Sequence, residues 1–262
     1  MQDLESQHSH WEIIDVGGHN CELFTPSKPS AQKGILFLHD NDGQRLRDYP
    51  YLRDVIECAS IPVIAPRSEQ SWWLHHIMPS FDKRISPEQF ILSSVKDEMI
   101  SRFGVRPPSI AIMGVGMGGQ GALRISYRHP NVFPIAAALS PSIDFHTAMR
   151  EADRQGQGEQ YESLWELYGD IEKARQDTAI LHIHPLNWPR HQFFACPKND
   201  VHWRDGAERL HSKLIALGIP HTAVLESPDH KTDSDFLRFA SCELIDFINR
   251  ALTTESRSVS HS

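Results

Sequence analysis

Dense basic runs are missing from this chain of 262 residues: 26 Lys and Arg stand against 34 Asp and Glu, for a formal net charge of −8. Nucleic acids and anionic lipid surfaces are held by clustered Lys and Arg, so neither is expected as a partner. Cysteine is sparse too. Cys21, Cys58, Cys196 and Cys242 show neither CxxC nor zinc-type spacing, and the expectation is buried free thiols in a reducing compartment. No run of about 18 apolar residues occurs, and residues 1–12 are polar and acidic without an apolar h-region, so the chain reads as cytoplasmic and not membrane-bound. What is present, 40% hydrophobic and 23% charged residues, suits one large globular domain with a substantial core.

Short apolar runs alternate with stretches of helical character. Residues 11–16 and 21–24, joined by Gly17-Gly18-His19-Asn20, read as a hairpin at a sheet edge. Residues 34–39, 61–65, 110–113, 133–140, 192–196 and 222–226 are nearly continuous apolar runs, the pattern of strands buried on both faces of a parallel sheet. Between them lie candidate helices at residues 46–58, 86–102, 122–127, 206–217 and 236–251. Repeated βαβ units predict an α/β fold with a mostly parallel, doubly wound sheet and helices on both faces. Residues 1–252 form the expected domain, residues 143–187 an excursion or lid, and residues 253–262 a polar, frayed tail. Ligands of such sheets sit beyond the carboxyl ends of the strands, which gathers Asp40, Trp72, Gly116, Ser140, Asp200 and His230 near one rim.

The most informative stretch is Ile110-Ala111-Ile112-Met113-Gly114-Val115-Gly116-Met117-Gly118-Gly119-Gln120-Gly121-Ala122-Leu123. A strand, a glycine turn and a helix are the setting of the nucleophile elbow, where G-x-S-x-G holds a serine at the apex. Here the outer positions are Gly114 and Gly118, but the apex is Gly116, which has no side chain and cannot attack a carbonyl. The same stretch satisfies G-x-G-x-x-G formally, but no acidic residue ends the following strand, where Leu139-Ser140-Pro141 stands instead. A nicotinamide site is therefore not expected, nor any other cofactor.

The run Gly116 to Leu123 resembles the S-M-G-G-x-G-A-L of the esterase D group, which includes S-formylglutathione hydrolases and related carboxylesterases. Asn199-Asp200 followed by Arg204-Asp205-Gly206 is similar to that group's acid loop, and Pro228-Asp229-His230 to its histidine loop. The resemblance implies an α/β-hydrolase fold with Gly116 at the nucleophile position, Asp200 as acid and His230 as base. It also implies oxyanion donors at the N–H of Met117 and in the loop after His39, at Asn41. Two departures accompany the missing serine. The loop His39-Asp40-Asn41-Asp42-Gly43 places a carboxylate where a developing oxyanion would be opposed, and Asp229-His230-Lys231-Thr232 lacks the expected G-H-S.

These residues support a member of the group that is non-catalytic or weakly catalytic and keeps a cleft for a small acyl or ester-like ligand, a protein partner or a second copy of the chain. The competing reading is an active ester hydrolase in which Asp200 and His230 work on a water, or on a displaced nucleophile such as Ser140 or Ser142. Asp200 also suits a helix cap, and His230 a solvated loop. Of Trp72 and Trp73, at least one is expected to wall the cleft, since neighbours in a loop rarely both bury. Among 16 histidines, His182, His184 and His191 are the densest group, but no carboxylate or cysteine stands at ligand spacing, so no metal is expected.

Overall fold

The computed structural model describes residues 9–30, 32–226 and 232–259. Its strands are β1 (His10–Val16), β2 (His19–Thr25), β3 (Gly34–Leu38), β4 (Val63–Pro66), β5 (Ile110–Val115), β6 (Ile135–Leu139), β7 (His191–Ala195) and β8 (Thr222–Val224). They form one eight-stranded sheet in the order β1-β2-β4-β3-β5-β6-β7-β8. The pairs β1–β2 and β2–β4 are antiparallel, and every pair from β4 across to β8 is parallel. The hairpin therefore occupies an edge, and β5 runs in the middle between β3 and β6, as the fully apolar run requires.

Successive residues of the central strands enter different cores. Leu36, Leu38, Ile110, Ile112, Ala136 and Ala138 pack on one face, while Ile35, Phe37, Ala111, Met113, Ile135 and Ala137 pack on the other. On the first face lies α4 (Met117–Arg128), and on the second lie α1 (Pro50–Ala59) and α9 (Asp233–Val259). The helix preceding β5 is α-helical at α2 (Pro87–Phe90) and α3 (Lys96–Phe103), with a π-helical turn over Ile91–Val95 between them. Ser86 caps its start by accepting the N–H of Gln89 at 3.1 Å. Residues 143–187 carry no strand among the described residues; they form α5 (Phe145–Arg154), α6 (Glu162–Tyr168) and α7 (Ile171–Gln176). The sequence-predicted helix at 206–217 is α8 (Arg204–Ala216), and the one at 236–251 lies within α9.

Two expectations need correction here. Over residues 253–259 the predicted frayed tail is helical instead, because α9 continues to Val259. Leu252 is fully buried, and the buried Glu255 carboxylate accepts from Arg190 Nε at 2.8 Å and pairs with His191 at 3.0 Å. A buried leucine contributes about 1.5–3 kcal/mol, more than enough to hold one further helical turn. The thiols are free as expected, but only Cys21 and Cys196 are buried, while Cys58 and Cys242 lie exposed on α1 and α9. Finally, the glycines of the elbow serve close packing. A Cβ on Gly118 would collide with the Leu38 carbonyl, so α4 can lie against β3 only with glycine at that position. Among the described residues no helix is long and apolar enough to cross a membrane.

Candidate functional site

β5 ends at Val115, and α4 begins at Met117. Between them Gly116 takes φ +53° and ψ −117°, a conformation that only glycine adopts without strain. Its N–H donates to the Leu139 carbonyl at 3.0 Å, and its own carbonyl accepts the N–H groups of Gln120 and Ser142, both at 3.0 Å. The turn that would present a nucleophile is therefore fully braced, although nothing projects from it.

What fills the apex is Asp40. One of its carboxylate oxygens, Oδ1, accepts the N–H of Asn41 at 2.7 Å and the N–H of Met117 at 2.8 Å. The family resemblance expects these two amides to be oxyanion donors, and in this structure both are taken by an internal carboxylate. A Cβ on Gly116 would collide with Asp40 Oδ1, Cγ and Oδ2. A serine at the apex and the carboxylate in this seat exclude one another.

The loop that carries Asp40 is held from behind. His39 is buried; its Nδ1–H donates to the Asp40 carbonyl at 2.6 Å, and its Nε2 accepts the Ser68 N–H at 3.0 Å. Burial depresses its basicity, with the Asp40 contact only partly opposing this, and the two bonds fix one neutral tautomer. The indole of Trp73 donates to the His39 carbonyl at 3.2 Å. Burial likewise raises the Asp40 carboxyl above the ordinary range; the Met117 and Asn41 amides offset part of that, and the charges of Asp42 and Asp200 add to it.

A carboxyl whose folded pKa is raised stabilises the fold when protonated, and that contribution is lost as pH rises through the folded value. Wild type is therefore expected to lose stability relative to Asp40→Asn as pH rises above the ordinary carboxyl range, from about 4 upward. Urea denaturation at several pH values reads this directly, and profiles that run parallel for the two proteins would contradict it.

The remaining predicted site residues are placed as follows. Asp200 is half-buried before α8, where its Oδ1 accepts the N–H groups of His202 at 3.1 Å and Trp203 at 2.9 Å. That is a turn-capping role, and its Oδ2 meets the Cys196 thiol at 3.6 Å. Burial pushes that thiol far above its usual pKa, with Asp200 adding to the effect, which disfavours the thiolate form. His230 lies outside the described residues. Ser142 is buried and its hydroxyl has no hydrogen-bond partner among the described residues; Ser140, at φ +43°, donates its N–H to the Ala195 carbonyl. Among the described residues neither hydroxyl meets an imidazole.

Trp72 lines the cleft, as expected of at least one of the pair, although both Trp72 and Trp73 bury, at 1% and 0% exposure. Both have positive φ, +55° and +54°. The side chains of consecutive left-handed residues do not alternate to opposite sides as they would in an extended loop. Trp73 packs behind the elbow against Gly121, and Trp72 lines a cleft of about 750 Å³ whose floor includes Asp40.

The histidines that stand closest together in the sequence do not gather in space. His191 pairs with Glu255, His184 is exposed, and only His182 meets a carboxylate shared with other imidazoles, donating to Asp177 Oδ1 at 2.9 Å. His75, His76 and Asp177 each bring one potential ligand atom within 4.8 Å of the others. Arg124 from α4 is already there, completely buried, donating to Asp177, Glu88 and His75 Nδ1. A buried guanidinium that occupies those lone pairs opposes a second cation, so the group is a charge network that anchors α4. The only trace of it in the sequence is one arginine in the otherwise apolar helix face around Leu123 and Ile125.

With this geometry in hand, the chain matches the family model described as "Putative esterase" over residues 50–216, a segment holding the elbow and Asp200. Among solved structures it is similar to an S-formylglutathione hydrolase from Agrobacterium tumefaciens, with TM-score 0.71, 13% identity and coverage of 93% of this chain and 94% of the other. It is also similar to Mycobacterium tuberculosis MPT51, with TM-score 0.66, 15% identity and coverage of 91% and 99%. A third is the Staphylococcus aureus fluorophosphonate-binding serine hydrolase FphF, with TM-score 0.65, 16% identity and coverage of 93% and 99%. No curated protein matches. At these identities the structural likenesses establish the fold, which is that of the α/β hydrolases.

Proposed function

The chain belongs to the esterase family whose model spans its residues 50–216, and from that premise we propose that it is a member that has lost acyl-transfer chemistry and retains the cleft for binding. The observation that carries this is the seat of Asp40. Serine hydrolysis needs an attacking oxygen at the apex and two amide donors free to receive the oxyanion. Gly116 provides no oxygen, and both donors already serve Asp40 Oδ1. In a triad, loss of the serine by itself removes about 10⁶ in rate.

The competing reading, a water activated by Asp200 and His230, meets the same obstacle, because a tetrahedral intermediate formed from water still needs the hole. A negative charge developing beside an ionised Asp40 is opposed rather than stabilised. Asp200 also has one oxygen engaged by two backbone amides.

Wild type is expected to hydrolyse p-nitrophenyl acetate and butyrate no faster than buffer and to remain unlabelled by a fluorophosphonate probe. Turnover that is abolished by His230→Ala would overturn the proposal.

A further inference from the structure

The group that fills the space beside the empty apex is itself a nucleophile. A Cβ on Gly116 would meet Oδ1, Cγ and Oδ2 of Asp40, so the carboxylate occupies the room that a side chain at the apex would need. Its two oxygens are not equivalent. Oδ1 accepts the N–H groups of Asn41 and Met117. Oδ2 has no hydrogen bond among the described residues and is not sealed from solvent, since Asp40 is half-buried and lines the cleft of about 750 Å³.

An aspartate carboxylate with one oxygen free can form a covalent intermediate and so split one difficult step into two. Which electrophile it can use is decided by the amides. Attack on an ester carbonyl would need them for the oxyanion of the substrate, and Oδ1 already holds both. Attack on a saturated carbon develops no oxyanion and needs no donor. In the alkyl ester formed through Oδ2, the carbonyl oxygen is Oδ1, and the two donors then polarise an acyl group that belongs to the protein. Burial raises the Asp40 carboxyl above the ordinary range, and nucleophilicity follows basicity once the group is ionised. Asp42, Asp144, Glu151 and Asp205 share the lining of the cleft, so an anionic substrate is repelled and a leaving anion is driven out.

Building on the loss of acyl transfer argued above, we propose that Asp40 is the nucleophile of an alkyl-transfer hydrolysis: Oδ2 attacks a small uncharged alkylating compound at its saturated carbon, and water cleaves the resulting ester. In the first step the Oδ2–carbon bond forms as the bond to the leaving group breaks, and that group departs with the electron pair. In the second, water adds to Cγ and gives a proton to solvent, while the Asn41 and Met117 amides receive the charge on Oδ1. Collapse breaks the Cγ–Oδ2 bond. The alcohol leaves with that oxygen, protonated from solvent, and the carboxylate keeps the oxygen of the water. Nothing is oxidised or reduced.

n-Butyl bromide is a suitable probe, used on the full chain carrying Cys58→Ser/Cys242→Ser, because those two exposed thiols would otherwise take the butyl group. Bromide release is expected to be at least about tenfold faster than from the same chain with Asp40→Asn, with urea denaturation showing that both are folded. Peptide mass mapping after an acid quench should place the butyl group on Asp40 and on no other carboxylate. A single turnover in heavy-oxygen water should leave the heavy oxygen in Asp40 and not in butanol. Bromide release no faster than from Asp40→Asn, butyl groups spread over surface carboxylates, or heavy oxygen found only in butanol would each overturn the inference. Turnover of p-nitrophenyl acetate that is abolished by His230→Ala would instead overturn the loss of acyl transfer, and the isotope in Asp40 is read apart from it.

Discussion

Asp40→Gly/Gly116→Ser is expected to hydrolyse p-nitrophenyl acetate at least about 100-fold faster than Gly116→Ser alone, the loss usually seen when a single oxyanion donor is removed. The single variant restores an oxygen at a braced apex but leaves the Asp40 carboxylate both in the serine's space and on the two amide donors. Either the serine is pushed off the apex or the loop at residues 39–43 is displaced, and in both cases the donors are not arranged for an oxyanion. Removing the carboxylate frees Asn41 N–H and Met117 N–H together. Only the double variant should react with a fluorophosphonate, and adding His230→Ala should abolish both readouts if that residue is the base. Equal rates for single and double variants would show that Asp40 is not what closes the hole.

Arg124→Met should lower stability by about 3–5 kcal/mol, the range found when one member of a buried ion pair is removed. That corresponds to roughly 10 °C in the thermal midpoint for a chain of this size. The reason lies in what remains. Glu88 and Asp177 are buried, and both are kept ionised largely by this network. Burial alone would raise the Glu88 carboxyl, but the hydrogen bond from His129 and the charges of Arg124 and Arg128 hold it at about 2. Asp177 is likewise driven well below the usual range, against the effect of its burial, by His182, Arg124 and Tyr168. These depressed carboxylates stabilise the fold above their unfolded pKa values and lose that contribution as pH falls toward the folded ones. The wild-type advantage over Arg124→Met should therefore shrink on acidification below about pH 4. Arg124→Lys should not restore stability, because a single ammonium cannot reach Glu88, Asp177 and His75 at once as the planar guanidinium does. A loss below about 1 kcal/mol would mean that the network is effectively solvated.

Much of the architecture is legible from local pattern. Fully apolar runs such as Ile35-Leu36-Phe37-Leu38 and Ile110-Ala111-Ile112-Met113 fit only strands covered on both faces, and two cores separated by the sheet are what the structure contains. The empty apex at Gly116 is a matter of identity at one position, read once the strand and helix around it are recognised. Asp40 could be suspected of opposing an oxyanion, because charge and loop position are properties of the sequence.

Other features depend on parts of the chain far apart in sequence. Met117 donates to Asp40 across 77 positions, and nothing near either residue signals that contact. Trp72 and Trp73 bury together from consecutive left-handed positions, with Trp73 against Gly121 of α4 and Trp72 against Phe145 and Tyr161. The continuation of α9 through Glu255 depends on Arg190 and His191, which come from the segment entering β7.

The sequence by itself determined the order of strands and helices, the fold class and the absence of an attacking side chain, since each depends on residue type and short spacing. Only the tertiary structure decided that the Asn41 and Met117 amides are held by Asp40, that the cleft beside them is acidic, and that Arg124 anchors the elbow helix. Hydrogen bonds and buried charges are settled by which distant groups meet once the sheet has formed, and short-range periodicity carries no information about that.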